Sequence, residues 1–252
     1  MPRAVRRLTG PALLVVVWWL ITAAGWVDHN TFPRPGDVAD LAWEMTRSGE
    51  LGSSLWASLR RVLAGTSIGV SAGVLLAVLA GLSRVGDDLL DSTMQVLKAI
   101  PTIALTPLFI IWMGIDEGPK IVLIALSTSL PIYINTYGAI RNVDTRLVDT
   151  GRTLGLSQAG LVRHVVLPGA LPGFLTGLRI SLTNAWIALV VAEQVNAHEG
   201  LGRLMADARS FFRLDLMVLV IVIYAVLGLL SYALVRFLER HLLQWRRGFE
   251  GT

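Results

Sequence analysis

The feature that most constrains the fold is a series of six apolar stretches, each long enough to cross a membrane. A transmembrane helix needs roughly 20 apolar residues. Only 16% of the 252 residues are charged, whereas soluble domains carry about 25%. The predicted spans are Leu8–Val27, Leu59–Leu82, Met94–Met113, Lys120–Ile140, Phe174–Ala192 and Leu216–Phe237. The sequence therefore predicts an all-α integral membrane protein with six transmembrane helices.

The first span has an alternative interpretation. Arginines precede it, and the stretch 22-TAAG-25 resembles a signal-peptidase site, so a cleaved signal peptide is the alternative to a retained helix. Tryptophans at positions 18, 19 and 26 favour the retained helix, because tryptophan anchors spans at the membrane–water interface.

The distribution of basic residues predicts the orientation. Cytoplasmic loops carry an excess of lysine and arginine. The side with both termini, the 83–91 loop and the 141–172 loop holds twelve of them, against six on the other side. Both termini and the 141–172 loop are therefore predicted to be cytoplasmic. The chain then divides into an N-terminal helix with an outer loop (1–58), a core (59–240) and a cytoplasmic tail (241–252).

Small residues form a ridge along the second span, at Gly65, Gly69, Gly73, Ala77 and Gly81. Because they recur every four residues, they lie on one helix face and allow another helix to approach closely. We expect the ridge to pack within the chain, and a contact between subunits is the alternative.

Prolines interrupt the third span at Pro101 and Pro107 and the fourth at Pro131. Proline removes a backbone hydrogen bond and kinks a helix. Kinked spans are typical of pathways that open and close, but they also occur in static bundles.

Three ionisable residues lie within or at the ends of spans: Lys98, Arg179 and Glu193. Such residues are costly in a membrane and usually functional, so we expect them in a translocation pathway. For Lys98 the alternative is that its ammonium reaches the lipid headgroups, and for Arg179 the alternatives are the headgroups or a pair with a neighbouring helix. No acidic residue lies deep in a span, where a proton or sodium site would need one.

Catalytic and metal-binding motifs are missing from the sequence. It has no cysteine, no GxxxxGK[ST] phosphate loop and no HExxH, and its four histidines are scattered. We therefore expect a chain that is not an enzyme and binds no metal or cofactor of its own. A transporter with neither its own ATPase nor an ion-coupling site has to be driven by a partner.

The loop between the fourth and fifth spans contains an elaborate polar segment. Residues 145–155 predict a short helix ended by Gly155, and residues 158–167 a second one, capped by Ser157 and ended before Pro168. Two short helices broken at glycine also suggest a helix-turn-helix. We reject DNA binding, because the unit is confined between two spans.

This segment resembles the cytoplasmic loop of ABC importer permeases, whose pattern is E-A-A-x3-G-x9-I-x-L-P. The pattern falls on Asp149, Thr150, Gly151, Gly155, Val165, Leu167 and Pro168. All spacings fit, although Asp replaces Glu, and Thr and Gly replace the two alanines. Further stretches, at 98–116, 171–193 and 200–208, resemble the sulfonate, taurine and nitrate branch of these permeases.

The resemblance implies a type I importer fold in a bacterial plasma membrane and a transport subunit that works with partners. Two copies of the chain, or one copy with a close relative, would form the pathway. An ATPase subunit carrying ATP and magnesium would bind the loop, and an extracytoplasmic binding protein would deliver a small anion. The loop would act as a coupling helix and drive alternating access. The residues implied in coupling also include Arg152, Leu156 and Ser157. The main rival function is a stand-alone ion-coupled carrier, which predicts coupling acids within spans.

Overall fold

The computed structural model describes residues 3–24 and 32–245, and these ranges contain helices and no strand. The first helices are α1 (Arg3–Ala23), α2 (Pro35–Arg47), α3 (Glu50–Leu82), α4 (Arg84–Ala99) and α5 (Thr102–Met113). They are followed by α6 (Glu117–Arg141), α7 (Thr145–Thr153), α8 (Gln158–Val195), α9 (Leu201–Ser210) and α10 (Leu214–Leu242). The predicted all-α class is confirmed for the described residues.

Four helices are long and apolar enough to cross a membrane: α3, α6, α8 and α10. The bent pair α4 and α5 makes a fifth if it is counted as one span. In α1 the apolar part, Ala12–Ala23, is shorter than a full span. The predicted end of the first span, with Trp26, lies outside the described residues. Length and composition thus support four or five of the six predicted spans.

The third predicted span is broken at Pro101, as the proline pattern indicated. Helix α4 ends at Ala99, and Ile100 adopts an extended conformation (φ −85°, ψ 120°), which is the conformation favoured before proline. Helix α5 leaves at an angle of 83° to α4. Pro131, by contrast, lies inside the continuous helix α6.

The chain divides into two compact units. One comprises the described parts of Met1–Leu59 and Glu193–Val226, and the other comprises those of Arg60–Ala192 and Leu227–Thr252. Helices α3, α8 and α10 each contribute residues to both units.

In the second unit the small-residue ridge of α3 packs on α6. A Cβ at Gly65 would lie 2.6 Å from the Ile124 Cβ, and one at Gly81 would lie 2.6 Å from the Ile140 Cγ2. Any side chain at either position would force the two helices apart. The expected packing within the chain is therefore confirmed.

In the first unit, helix α9 is short and amphipathic. Leu201, Leu204 and Ala208 share one face and are buried, as their spacing of three and four residues requires. Phe211 and Phe212 follow at its end and are exposed. The helix therefore has one buried apolar face and one face with polar side chains.

Candidate functional site

The first helix of the loop, α7, is defined by local caps at both ends. The Asp144 side chain accepts a hydrogen bond from the Arg146 N–H at 2.9 Å. At the other end Gly155 has φ +81°, and the Leu156 N–H donates to the Gly151 carbonyl at 3.0 Å. This is a Schellman ending, which requires a left-handed residue and so favours glycine. The predicted end of the helix at Gly155 is confirmed.

Gly151 explains one departure from the family pattern. A Cβ on Gly151 would lie 2.7 Å from Leu161 Cδ2 and 3.2 Å from Leu156 Cδ1. Leu161 is buried, and its side chain fills the space that an alanine methyl would need. The small residue thus lets the two parts of the loop pack directly against each other.

The opposite side of α7 leaves charged and apolar side chains exposed. The Asp149 carboxylate and the Arg152 guanidinium lie 3.4 Å apart, with side chains 69% and 59% exposed, and an ion pair this exposed contributes little to stability. Leu154 is 77% exposed. Thr150 instead turns its hydroxyl back to the Arg146 carbonyl, at 2.7 Å. Asp149, Arg152 and Leu154 are thus accessible to a second protein.

The second part of the loop differs from the prediction. Ser157 caps it, accepting from the Gly160 N–H at 3.2 Å, as expected. The helix does not end before Pro168, however, but continues through it into the fifth predicted span as α8. A π-helical turn, Val162–Val166, precedes the proline, and in it the Leu167 N–H donates to the Val162 carbonyl five residues earlier. The backbone hydrogen bonds are therefore already shifted by one residue at Pro168, which has no N–H to donate, and the helix continues.

This continuity places the remaining loop residues on a single helix. Val165 is half-buried, and a Cβ on Gly151 would lie 3.6 Å from its Cγ2. Leu167 is partly exposed, and Pro168 is half-buried. Residues 158–168 are thus continuous with a candidate membrane span, and α7, which ends at Thr153, contacts that helix through Gly151.

A cavity of about 500 Å³ lies in the second unit, beside the break between α4 and α5. Its polar lining residues are Lys98, Thr102, Ser127, Asn135 and Asn184. The rest of the lining is apolar. Of the three predicted pathway residues, Lys98 is the one that lines this cavity.

Arg179 has a different environment. It forms an ion pair with Glu239, and its guanidinium lies 5.7 Å from the centre of the Tyr232 ring. Both partners belong to α10, so Arg179 links α8 to α10 within the second unit. Its role in a pathway stays a prediction.

Glu193, the third predicted pathway residue, is only 1% exposed, in the first unit. Its two carboxylate oxygens lie 2.8 and 2.9 Å from the Ser58 hydroxyl, which donates to the carboxylate, and Oε2 also accepts from the Gly202 N–H at 2.7 Å. The Ser58 oxygen in turn accepts from the Leu201 N–H at 2.9 Å. Together these groups satisfy the first N–H groups of α9, where a negative charge is favoured.

Gly200 completes this cluster, which we call the Glu193 cluster (Ser58, Glu193, Gly200, Leu201 and Gly202). Gly200 has φ +130°, and a Cβ there would lie 2.5 Å from the Glu193 carboxyl carbon. Sequence reasoning missed Ser58 and Gly200. Ser58 lies 135 residues from Glu193, and no local pattern connects them.

A second buried polar cluster was also missed. Arg61 binds the Glu117 carboxylate through two nitrogens, at 2.6 and 2.7 Å, and Lys120 reaches the same group at 3.3 Å. Arg61 and Lys120 are buried. The cluster joins the start of α6 to α3 in the second unit, and Lys120 is part of this ion-pair network.

Comparison with known proteins identifies the family. Residues 69–244 match the family described as binding-protein-dependent transport system inner membrane component. A protein of Escherichia coli (strain K12) named "Putative aliphatic sulfonates transport permease protein SsuC" is 44% identical over 95% of this chain and 91% of its own length. The taurine transport system permease protein TauC of the same strain is 32% identical over 93% of this chain and 87% of its own length.

Solved structures share the fold. An amino acid ABC transporter chain has a TM-score of 0.66 at 19% identity, over 80% of this chain and 97% of its own. A chain of the MetNI methionine ABC transporter in an inward-facing conformation has a TM-score of 0.62 at 22% identity, over 81% of this chain and 98% of its own. The chain belongs to the family of binding-protein-dependent transport system inner membrane components, and it is an ABC transporter permease subunit and not an enzyme.

Proposed function

We propose that this chain is the permease subunit of an ATP-driven importer for small sulfonates. The observation that carries the proposal is 44% identity, over 95% of the chain, to a relative named for aliphatic sulfonates. A taurine permease is more distant, at 32%. Nitrate, a further substrate of the branch that the sequence resembles, has less support.

In this proposal residues 145–168 are the coupling element. The caps of α7, the direct packing at Gly151 and the continuous helix through Pro168 give a rigid segment with Asp149, Arg152 and Leu154 exposed. An ATPase subunit carrying ATP and magnesium docks on this surface in the cytoplasm. Its opening and closing then moves α8 and drives alternating access, because nucleotide binding favours one state over the other.

The assembly contains two permease copies, two ATPase subunits and an extracytoplasmic binding protein in a bacterial plasma membrane. The bent pair of α4 and α5 counts as one span, and α1 completes a set of six with both termini cytoplasmic. The core, 59–240, forms the pathway.

Reconstitution into proteoliposomes tests the function. The permease, its ATPase and its binding protein should take up ethanesulfonate only when ATP is present on the ATPase side. The stand-alone carrier predicts uptake driven by a proton or sodium gradient without ATP, and that result would contradict the proposal.

A further inference from the structure

The cavity beside Pro101 has an unusual electrostatic composition. Lys98 is its one cationic lining residue, and the lining contains no aspartate or glutamate among the described residues. In the part of the chain that the structure describes, the Lys98 ammonium forms no ion pair and no hydrogen bond. Lys98 is exposed, so its ammonium is accessible to an anionic ligand that enters the cavity.

Neutral donors lie in the same cavity. The side chains of Asn184 and Ser127 make no hydrogen bond with other described residues, so the amide and hydroxyl hydrogens are available to a ligand. Asn135 instead donates to the Pro131 carbonyl at 2.9 Å. The Lys98 ammonium, the Asn184 amide and the Ser127 hydroxyl can each donate a hydrogen bond to the acceptor oxygens of an anion.

The remaining wall is aliphatic. Ile100, Ile103, Leu130, Ile134, Ile180 and Ile187 contribute to it. A cavity with one cation, a few donors and an aliphatic wall fits a ligand with a single negative charge and a short alkyl chain. A doubly charged anion leaves one charge unmatched, and a ligand with an ammonium on its tail finds no carboxylate.

Building on the proposed function, we propose that this cavity is a binding site within the permease for alkanesulfonates, in which Lys98 and Asn184 contact the sulfonate and the isoleucine side chains contact the alkyl chain. The permease itself then contributes to selection of the cargo. A sulfonate has three acceptor oxygens and stays ionised at neutral pH, so it can engage the ammonium and the amide together. The bend at Pro101 places the end of α4 and the start of α5 on one side of this site.

Direct binding tests the proposal without the binding protein. The full permease–ATPase complex in nanodiscs is titrated with radiolabelled ethanesulfonate, and methane-, propane- and butanesulfonate compete. We expect saturable binding that tightens about fourfold for each added methylene, and weaker competition by taurine and sulfate. If binding is not saturable, or if the affinity does not depend on the length of the alkyl chain, the proposal is wrong. This test uses the wild-type protein alone.

Variants identify the contacts. Lys98→Met should weaken binding about tenfold or more, because it removes a charge-assisted contact, and Lys98→Arg should restore most of it. Asn184→Leu should weaken it about fivefold. Arg60→Met, which removes an exposed cation outside the cavity lining, is the matched control and should leave binding unchanged.

The same complex separates the two proposals. If wild-type protein imports ethanesulfonate with ATP but Lys98→Met binds it with unchanged affinity, the cavity assignment is wrong and the function stands. If the complex binds alkanesulfonates as described but uptake follows an ion gradient and not ATP, the function is wrong and the cavity assignment stands.

Discussion

The short helices α7 and α9 each have a glycine with positive φ at one end, but the two glycines meet different surroundings. At Gly155, after α7, nothing lies within 4 Å of the position that a Cβ would take. At Gly200, before α9, the same position lies 2.5 Å from the Glu193 carboxyl carbon. Gly155 is required only by the left-handed backbone conformation at the helix end. Gly200 also has positive φ, and in addition its missing side chain leaves space for the Glu193 carboxylate.

The side chains around the two glycines differ in the same way. Near Gly155 the polar and apolar groups are exposed, as Asp149 and Leu154 are. Near Gly200 they point inward, and Ser58 and Glu193 are buried. A surface that leaves its groups exposed suits contact with another protein, whereas a closed network fixes the position of a helix. Substitutions should therefore separate loss of stability from loss of partner binding.

The largest effect on stability is expected for Gly200→Val. The conformation at φ +130° and ψ 164° is essentially restricted to glycine, and the side chain would collide with the Glu193 carboxylate. We expect a loss of about 3 kcal/mol or more in the free energy of unfolding. Detergent-solubilised protein should show a much lower thermal midpoint in a size-exclusion assay, and an unchanged midpoint would contradict the role of Gly200.

Glu193→Ala should be the next most severe change. It leaves the Gly202 N–H and the Ser58 hydroxyl without their acceptor in a buried site, at a cost of about 2–4 kcal/mol. Glu193→Gln keeps one carbonyl oxygen and should lose less. The thermal midpoints should fall in the order wild type, Gln, Ala; equal midpoints for all three would show that the Glu193 cluster does not hold α9.

Gly155→Val should have a smaller effect on stability and a large effect on coupling. The left-handed conformation costs a residue with a side chain about 1–2 kcal/mol, and the cost falls on the loop alone. We expect normal membrane insertion, faster hydrogen exchange in α7 and reduced ATP-dependent transport. Gly138→Ala is the control, because its Cβ meets nothing within 4 Å and its φ is helical; normal transport in Gly155→Val would contradict the coupling role.

The smallest effect on stability is expected for the exposed pair. Asp149→Asn combined with Arg152→Gln should change the free energy of unfolding by less than about 1 kcal/mol, because exposed ion pairs contribute little. The affinity of the purified ATPase subunit for the immobilised permease should nevertheless decrease. If it is unaffected, these two side chains lie outside the docking surface.

Local sequence patterns predicted the parts of the molecule that depend on neighbouring residues. The end of α7 at Gly155, the cap at Ser157 and the break at Pro101 each require only three or four adjacent residues, and all three are present. The small-residue ridge of α3 was also predicted from the sequence, because residues spaced four apart lie on one helix face.

The predicted end of the second loop helix before Pro168 was wrong, because a helix can continue through a proline when its hydrogen bonding is shifted. A proline normally ends a helix, but the π-helical turn at Val162–Val166 lets α8 continue through Pro168. The Glu193 cluster and the Arg61–Glu117 pair join residues 135 and 56 positions apart. Such contacts depend on how helices are arranged in space, which periodicity along a single chain does not contain.

The most direct test of the coupling role is co-purification of the ATPase subunit. Wild-type and Gly138→Ala permease, extracted in mild detergent, should retain the ATPase in equal amount. Gly155→Val, at equal membrane expression, should lose most of it because the docking segment is no longer held in shape. Retention of the ATPase at the wild-type level by Gly155→Val, and by the Asp149→Asn, Arg152→Gln double variant, would contradict the assignment of residues 145–168 as the coupling element.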